Sequence, residues 1–429
     1  MKPKSNVVIK NMALIIALAN IALWDYMDSI VSFAPFIVLG IEAIIVWLLR
    51  RDIELVGIKN VLIVCFIMFF HLIVSLLQNT TTIEAFFKQF ALIFICYFCY
   101  MIIFSGYNVR TIFKGYYILA LVVTAVVFFQ EIVVVLGIPI IEKLPIVFKF
   151  STYYYNVLGG LFRANAFFHE PSFLVYTMTP AVYISLLILS NKFKEKDVIY
   201  NKIIALMMVG AYLLSFSSLG LIGLAAMIGL IVLKSNLSWK TVVAIMGATV
   251  FLIVAYVGLP DVRMRVDDTV EAIMAEDIND LGANEINQSS ITLISHMHLA
   301  GEIFGVTNGW GAGLGAYGEN YDAYMPEISE YSYALGYNKE DANSMLLRMI
   351  AEVGIIGVSL LVVFLIHYYP SRCSKKDMFY QQISDALLVL FALKLFRQGN
   401  YAHGGFFFFV CLYMLIYTEC KYLSWKKNV

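Results

Sequence analysis

The sequence predicts an all-α, polytopic integral membrane protein with about twelve transmembrane helices. Three observations predict it. Of the 429 residues, 61% are hydrophobic and only 14% charged, with a mean hydropathy of +0.80, whereas soluble domains are roughly half apolar and a quarter charged. Apolar runs long enough to cross a bilayer, about 20 residues each, recur along the whole chain. Lysine and arginine gather at every second connection between those runs, the pattern left when one side of each span faces the cytoplasm.

The runs fall near 8–25, 29–49, 60–78, 85–105, 115–137, 172–190, 203–218, 219–233, 241–258, 344–366, 379–396 and 404–419. The first follows Lys2, Lys4 and Lys10 and carries "ALA" at 17–19, which imitates a signal peptide. Its apolar stretch continues past that point and many spans follow, so it reads as an uncleaved first helix. The pair between 203 and 233 is short and joined by "SFSSLG". With the N-terminus inside, 20 of the 30 basic residues fall at cytoplasmic ends and loops. Both termini are then cytoplasmic; the family resemblance described below implies the bacterial cytoplasmic (inner) membrane. Residues 1–429 form one polytopic membrane domain with two substantial outer loops, 138–171 and 259–343. The second precedes the tenth span and is too long for a simple connection. It carries 15 Asp or Glu residues against Arg263, Arg265 and Lys339, and its Tyr and Gly content suggests partial order.

Several function classes drop out. A net charge of zero gives no footprint for nucleic acid. The six cysteines lie in apolar runs or in segments placed on the cytoplasmic side, so no disulfide framework is implied. "CYFC" at 96–99 has redox or zinc spacing but sits inside a span without a second pair. No internal repeat is visible, and the two halves differ in loop size, which argues against a transporter built on symmetric repeats.

Chemistry concentrates in a few stretches. In "FRANAFFHEPSFL" (162–174), Pro171 suits the first turn of a helix and Glu170 its positive end. Capping and a snorkelling arginine would account for that stretch structurally. Functionally, Arg163 is a permanent cation for a phosphate, and His169 or Glu170 a proton acceptor. "GWGAGLGAYGENY" (309–321) contains a formal G-x-G-x-x-G, but no strand precedes it, so a dinucleotide site is excluded. Its glycines let the backbone turn tightly near a substrate. "ANSMLLRMIAEVGIIG" (342–357) follows. There Arg348 and Glu352 share one helical face, Asn343 and Ser344 offer an N-cap, and an ionisable pair inside a span is a functional candidate by default. The alternative is a structural ion pair. His298 and Glu302 are also four apart, but His296 falls off their face, and two ligands are too few for zinc. No metal and no cofactor is expected. The tyrosines from 317 to 337 suit either a sugar platform or an ordinary interfacial belt.

The order of these motifs resembles the O-antigen polymerase and ligase family. The carriers of the likeness are the G-x-G-x-G loop, a short segment ending in Asn343, and "E-x-G-x-x-G" at 352–357. The "R…F-x-E-P-S" stretch at 163–172 and "LFRQGNY" at 395–401 resemble its exopolysaccharide and capsule polymerase branch. The resemblance implies polyprenyl-pyrophosphate-linked oligosaccharides as donor and acceptor, with membrane lipid, a chain-length regulator and a flippase as further partners. It implies a metal-independent membrane glycosyltransferase that moves a growing glycan from its lipid carrier onto the next lipid-linked repeat unit. Arg163 matches the family's loop arginine, the cation for the departing pyrophosphate. The chain departs from the pattern in having no arginine between 287 and 305; Arg397 and Arg348 are the first substitutes, ahead of Arg263 and Arg265. Ligases often carry histidine where Asn343 stands, which favours polymerase over ligase and leaves the base open between Glu170 and His169. A flippase or exporter of lipid-linked sugars is the alternative from another class. Against it, no basic residue lies deep in the first-half spans; Lys88, at a span's outer end, is the nearest.

Overall fold

The computed structural model describes residues 4–49, 55–137, 162–195, 197–234, 288–371 and 378–428, with isolated positions elsewhere. Among the described residues there is no strand. The helices are α1 (Lys4–Ile30), α2 (Ala34–Leu49), α3 (Ile58–Leu77), α4 (Ile83–Phe104), α5 (Val109–Val135), α6 (Pro171–Leu189), α7 (Lys202–Leu214), α8 (Ser218–Leu233), α9 (Gln288–Val306), α10 (Tyr317–Ile328), α11 (Glu330–Leu335), α12 (Met345–His367), α13 (Met378–Phe396) and α14 (Phe406–Asn428). Eight of them, α1, α3, α4, α5, α6, α12, α13 and α14, are long and apolar enough to cross a membrane. Helices α2, α7 and α8 are apolar but shorter. The chain is therefore an all-helical, polytopic membrane protein. The run expected at 241–258 lies almost wholly outside the described residues, as do 138–161 of the first expected loop and most of 259–287 of the second.

Local sequence explains where the helices begin. Asn108 caps α5 by accepting from the Thr111 amide at 2.8 Å, and Asn201 caps α7 through Ile204 at 2.9 Å. Each side-chain oxygen satisfies an amide that has no partner within its helix. Pro171 opens α6 at the position where a missing N–H costs nothing. Ser344 caps α12 by accepting from Leu347 at 3.3 Å; Asn343, the other expected cap, plays a different part described below.

Burial ranks the helices by position. About four fifths of the α6 span (78%) and 72% of α13 are enclosed, against 17% of α3. Helix α6 packs on α7, α8 and α13, so α6 and α13 form the centre while α3 lies at the periphery. Residues 288–343 fold into a cap: α9 lies on α10 and α12 around a small second core of Leu299, Ile303, Tyr317, Tyr321 and Met325. Cys65, Cys96, Cys99 and Cys411 are free thiols, in keeping with a structural "CYFC". Cys420 is disulfide-bonded, where the sequence implied no disulfide framework.

Candidate functional site

The glycine motifs find their place first. Helix α12 is broken at Gly354, whose φ of 54° and ψ of −149° free backbone groups from the helical ladder. Residues 309–313 run alongside the break and satisfy those groups. The amides of Ala312 and Gly313 donate to the carbonyls of Ala351 and Glu352, both at 2.7 Å, and the Ile355 amide donates to the Gly309 carbonyl at 3.0 Å. Gly311, at φ 86°, leaves no room for a Cβ, which would sit 2.6 Å from the Gly354 nitrogen. Irregular backbone at membrane depth survives only with partners of this kind. The two glycine motifs are thus halves of one joint. Their turns close on α12, and no glycine of the strap lines a cavity described below.

Two adjoining cavities open where α6 and α12 begin and α13 ends. The larger, about 390 Å³, is walled by His169, Phe173, Asp341, Lys394, Gln398 and His403, with Asp25 and Asp28 from α1. The smaller, about 250 Å³, has Glu170, Asn338, Asn343 and Arg397 in its wall, with Gln288 and Thr292 from α9. Phe173, Asp341 and Gln398 line both. Four of the residues singled out in the sequence, His169, Glu170, Asn343 and Arg397, are therefore brought together.

A continuous hydrogen-bonded chain holds this arrangement. Ser172 Oγ donates to Glu170 Oε2 at 2.9 Å and accepts from Gln398 Nε2 at 3.3 Å. The Gln398 amide donates to the Asn343 carbonyl at 2.9 Å, and the Asn343 amide donates to Asp341 Oδ1 at 3.1 Å. Gln398 and Asn343 both adopt left-handed backbone, φ 80° and 57°, which turns their amides and carbonyls toward each other rather than along a helix. On the far wall, Asp25 accepts from the His169 amide at 2.8 Å and contacts His403 Nε2 at 2.5 Å.

Arg348 and Glu352 lie behind this wall and line neither cavity. As their spacing predicted, they pair, with Nε and Oε1 2.9 Å apart. Arg348 also reaches the Gly399 carbonyl at 3.4 Å and Gln89 Oε1 at 3.0 Å, and stacks 4.6 Å from the Tyr401 ring centre. The pair ties the "RQGNY" turn to α12 and α4. Arg163 is half-buried and also outside both walls. Its neighbours are pinned: the Phe162 amide donates to Glu131 Oε2 at 3.1 Å, and the Ala164 amide to the Leu214 carbonyl at 3.2 Å. His298 is exposed on α9 and contributes to neither cavity. It is His296 that is buried, with Nδ1 2.6 Å from the Tyr317 hydroxyl and Nε2 3.0 Å from the Tyr337 carbonyl. Burial pushes its pKa down to about 4. Among the described residues, no three His, Cys, Asp or Glu side chains converge as a metal site would need.

Asp25, Asp341, Lys394, Gln398 and His403 were not singled out in the sequence. Two left a signal: Lys394 interrupts "LLVLFALKLF", and Asp25 closes the first apolar run inside what folds as α1; a charge within a span is costly. Gln398 lies within the quoted "LFRQGNY", and Asp341 and His403 sit in short connections that look like any other. Neither a protein-family model nor a curated protein matches the chain.

Proposed function

We propose that this protein is a polysaccharide polymerase of the bacterial cytoplasmic membrane, with twelve spans, both termini in the cytoplasm and its paired cavities at the outer face. It transfers a growing glycan from polyprenyl pyrophosphate onto a hydroxyl of the next lipid-linked repeat unit. The supporting observation is the hydrogen-bonded chain from Glu170 through Ser172 and Gln398 to Asn343 and Asp341. It joins, in one polar cleft, the three stretches whose order suggested a glycan-transferring enzyme.

The chemistry follows from the donors and acceptors available. The bond between the sugar's anomeric carbon and the carrier's phosphate oxygen breaks as the acceptor hydroxyl oxygen attacks. The departing pyrophosphate needs cationic stabilisation, which a guanidinium supplies through two parallel N–H bonds. Arg397 stands in the cleft wall, and Arg163 lies on the segment leading to it. The hydroxyl proton needs an acceptor within reach. Glu170 lines the cavity and, among the described residues, spends only Oε2 on Ser172, which leaves Oε1 to take it. His169 and the amides of Gln398, Asn343 and Asn338 orient the sugar hydroxyls.

The test is reconstitution of purified protein with lipid-linked repeat units, with products resolved by size. A ladder is expected from wild type, with and without a divalent-metal chelator, and none from Glu170→Gln. Transfer to a different acceptor without a ladder would make the protein a ligase. Movement of unpolymerised units across a vesicle membrane would make it a flippase. Loss of the ladder in chelator, restored by one metal, would overturn the metal-independent chemistry.

A further inference from the structure

Three polar atoms of residues in the wall of the larger cavity are buried without a hydrogen-bond partner among the described residues: Lys394 Nζ, His403 Nδ1 and Gln398 Oε1. Such atoms are uncommon inside a folded protein, because each forfeits its hydration and gains nothing in return. Lys394, in the last turn of α13, is the most costly of the three, since its side chain is completely buried. The rings of Tyr176 and Phe406, 5.4 and 5.6 Å from Nζ, offset only part of the cost of removing an ammonium from water. Arg348, also buried, has a carboxylate and two further acceptors.

The acids of the same wall limit the charge a ligand can bring. Asp25 accepts from His403 and the His169 amide, and Asp28 from the Phe33 amide at 3.0 Å. Asp341 acts on Lys394 through space, but its hydrogen bonds go to Asn338 Nδ2 at 2.8 Å and the Asn343 amide at 3.1 Å. A neutral ligand would leave the ammonium without a counter-charge in contact. A phosphate monoester, at about −1.5 to −2 near neutral pH, would set excess negative charge beside three carboxylates. One negative charge matches one ammonium, and a carboxylate is a compact group that supplies it. The other two atoms call for hydroxyl donors. Gln398 Oε1 only accepts, and His403, whose Nε2 is engaged by Asp25, offers Nδ1 as an acceptor when the ring is neutral. A carboxylate on a frame bearing several hydroxyls meets all three.

We propose that the larger cavity is a subsite for an acidic sugar, with Lys394 holding its carboxylate while Gln398 Oε1 and His403 Nδ1 accept from its hydroxyls. This rests on the glycan-transfer reading and narrows its substrate class to repeat units that carry a uronic acid. Asp25 is a positioning residue: its contact with Nε2 fixes the tautomer that leaves Nδ1 unprotonated. The Phe173 ring, 4.5 Å from the His403 ring centre, packs against the imidazole and restricts its rotation. Lys394 sets specificity and takes no part in the proton transfer assigned to Glu170.

Binding tests this without turnover. Purified full-length protein in neutral detergent is titrated calorimetrically with methyl glucuronide, methyl galacturonide and methyl mannuronide. Each is paired with the neutral methyl glycoside of the same configuration, and acetate and inorganic phosphate serve as charge controls. At least one uronide is expected to bind about tenfold or more tightly than its neutral counterpart. Acetate, which lacks the hydroxyls, and phosphate should both bind more weakly than that uronide. Lys394→Met, which removes the charge at similar side-chain length, should erase the preference. The subsite is overturned if no uronide exceeds its neutral glycoside, or if acetate or phosphate binds as tightly as the uronide. An unchanged preference in Lys394→Met overturns it as well. Should that variant fail to accumulate, a structure of wild type with the bound uronide decides: a carboxylate within hydrogen-bond reach of Lys394 Nζ supports the subsite, and one bound elsewhere removes it. Uronide preference without a polymer ladder from any repeat unit would keep the subsite and sink the polymerase. A ladder from neutral repeat units, with acidic ones left unused, would do the reverse.

Discussion

Arg348 and Lys394 lie on adjacent helices near one end of the bundle, both almost inaccessible to solvent (5% and 0% exposed). Arg348 has a carboxylate, a carbonyl, an amide oxygen and an aromatic face; Lys394 has two aromatic faces and no hydrogen-bond partner for its Nζ among the described residues. Burial alone therefore does not tell how well a charge is accommodated. The count of partners does, because a low-dielectric interior penalises each unmet donor or acceptor. A fully partnered cation holds segments together. One whose donors are unmet costs stability.

The most severe way to break this comparison is to remove Arg348. Arg348→Met leaves Glu352, 0% exposed, with a buried and uncompensated carboxylate, at an expected cost of about 3–5 kcal/mol. Folded protein, measured by size-exclusion chromatography after expression, should largely disappear. The double variant Arg348→Met, Glu352→Leu should recover much of it, since an apolar pair of similar volume is tolerated. A single variant as stable as wild type would mean the pair is not structural.

His296 extends the comparison to a neutral group with full partners. Its pKa in the folded protein, about 4, lies below the ordinary histidine value of 6.5 because burial disfavours the charged ring. The unfolded chain therefore binds the proton more readily between those values, so stability is complete above about pH 6.5 and falls as the pH drops toward 4. The loss approaches about 3 kcal/mol at the acid end. Hydrogen exchange of amides in 288–343 should accelerate over that window, and His296→Gln should flatten the profile. Unchanged protection down to pH 4 would contradict the buried neutral ring.

Gly311→Ala tests the backbone joint rather than a side chain. Left-handed backbone combined with the close approach to Gly354 should cost about 1–3 kcal/mol, read as a lower midpoint of thermal unfolding. The smallest effect on stability belongs to Arg163→Lys, within about 0.5 kcal/mol. If Arg163 binds pyrophosphate with its planar fork, lysine should abolish polymerisation almost as completely as alanine does, because a point donor cannot reproduce two parallel bonds. Near-normal polymerisation by Arg163→Lys would transfer that role to Arg397.

By itself the sequence determined the lipid-solvated helical body, eleven of the apolar runs that appear as helices, the proline start of α6, the serine cap of α12 and the shared face of Arg348 and Glu352. Each of these follows from backbone periodicity, capping chemistry or the hydropathy of neighbours within a few residues. Only the tertiary structure decided which of His296 and His298 is buried, that the glycine strap closes on the break at Gly354, and that Gln398 joins Ser172 to Asn343 across more than 200 positions of chain. The physical reason lies in the solvent. In a membrane every helix presents a similar apolar surface to lipid and to its neighbours, so hydrophobic pattern fixes that a helix exists but not which helix it meets. The partners of Lys394, Asp25 and His403 depend on that unrecorded choice, and so does the cleft they line.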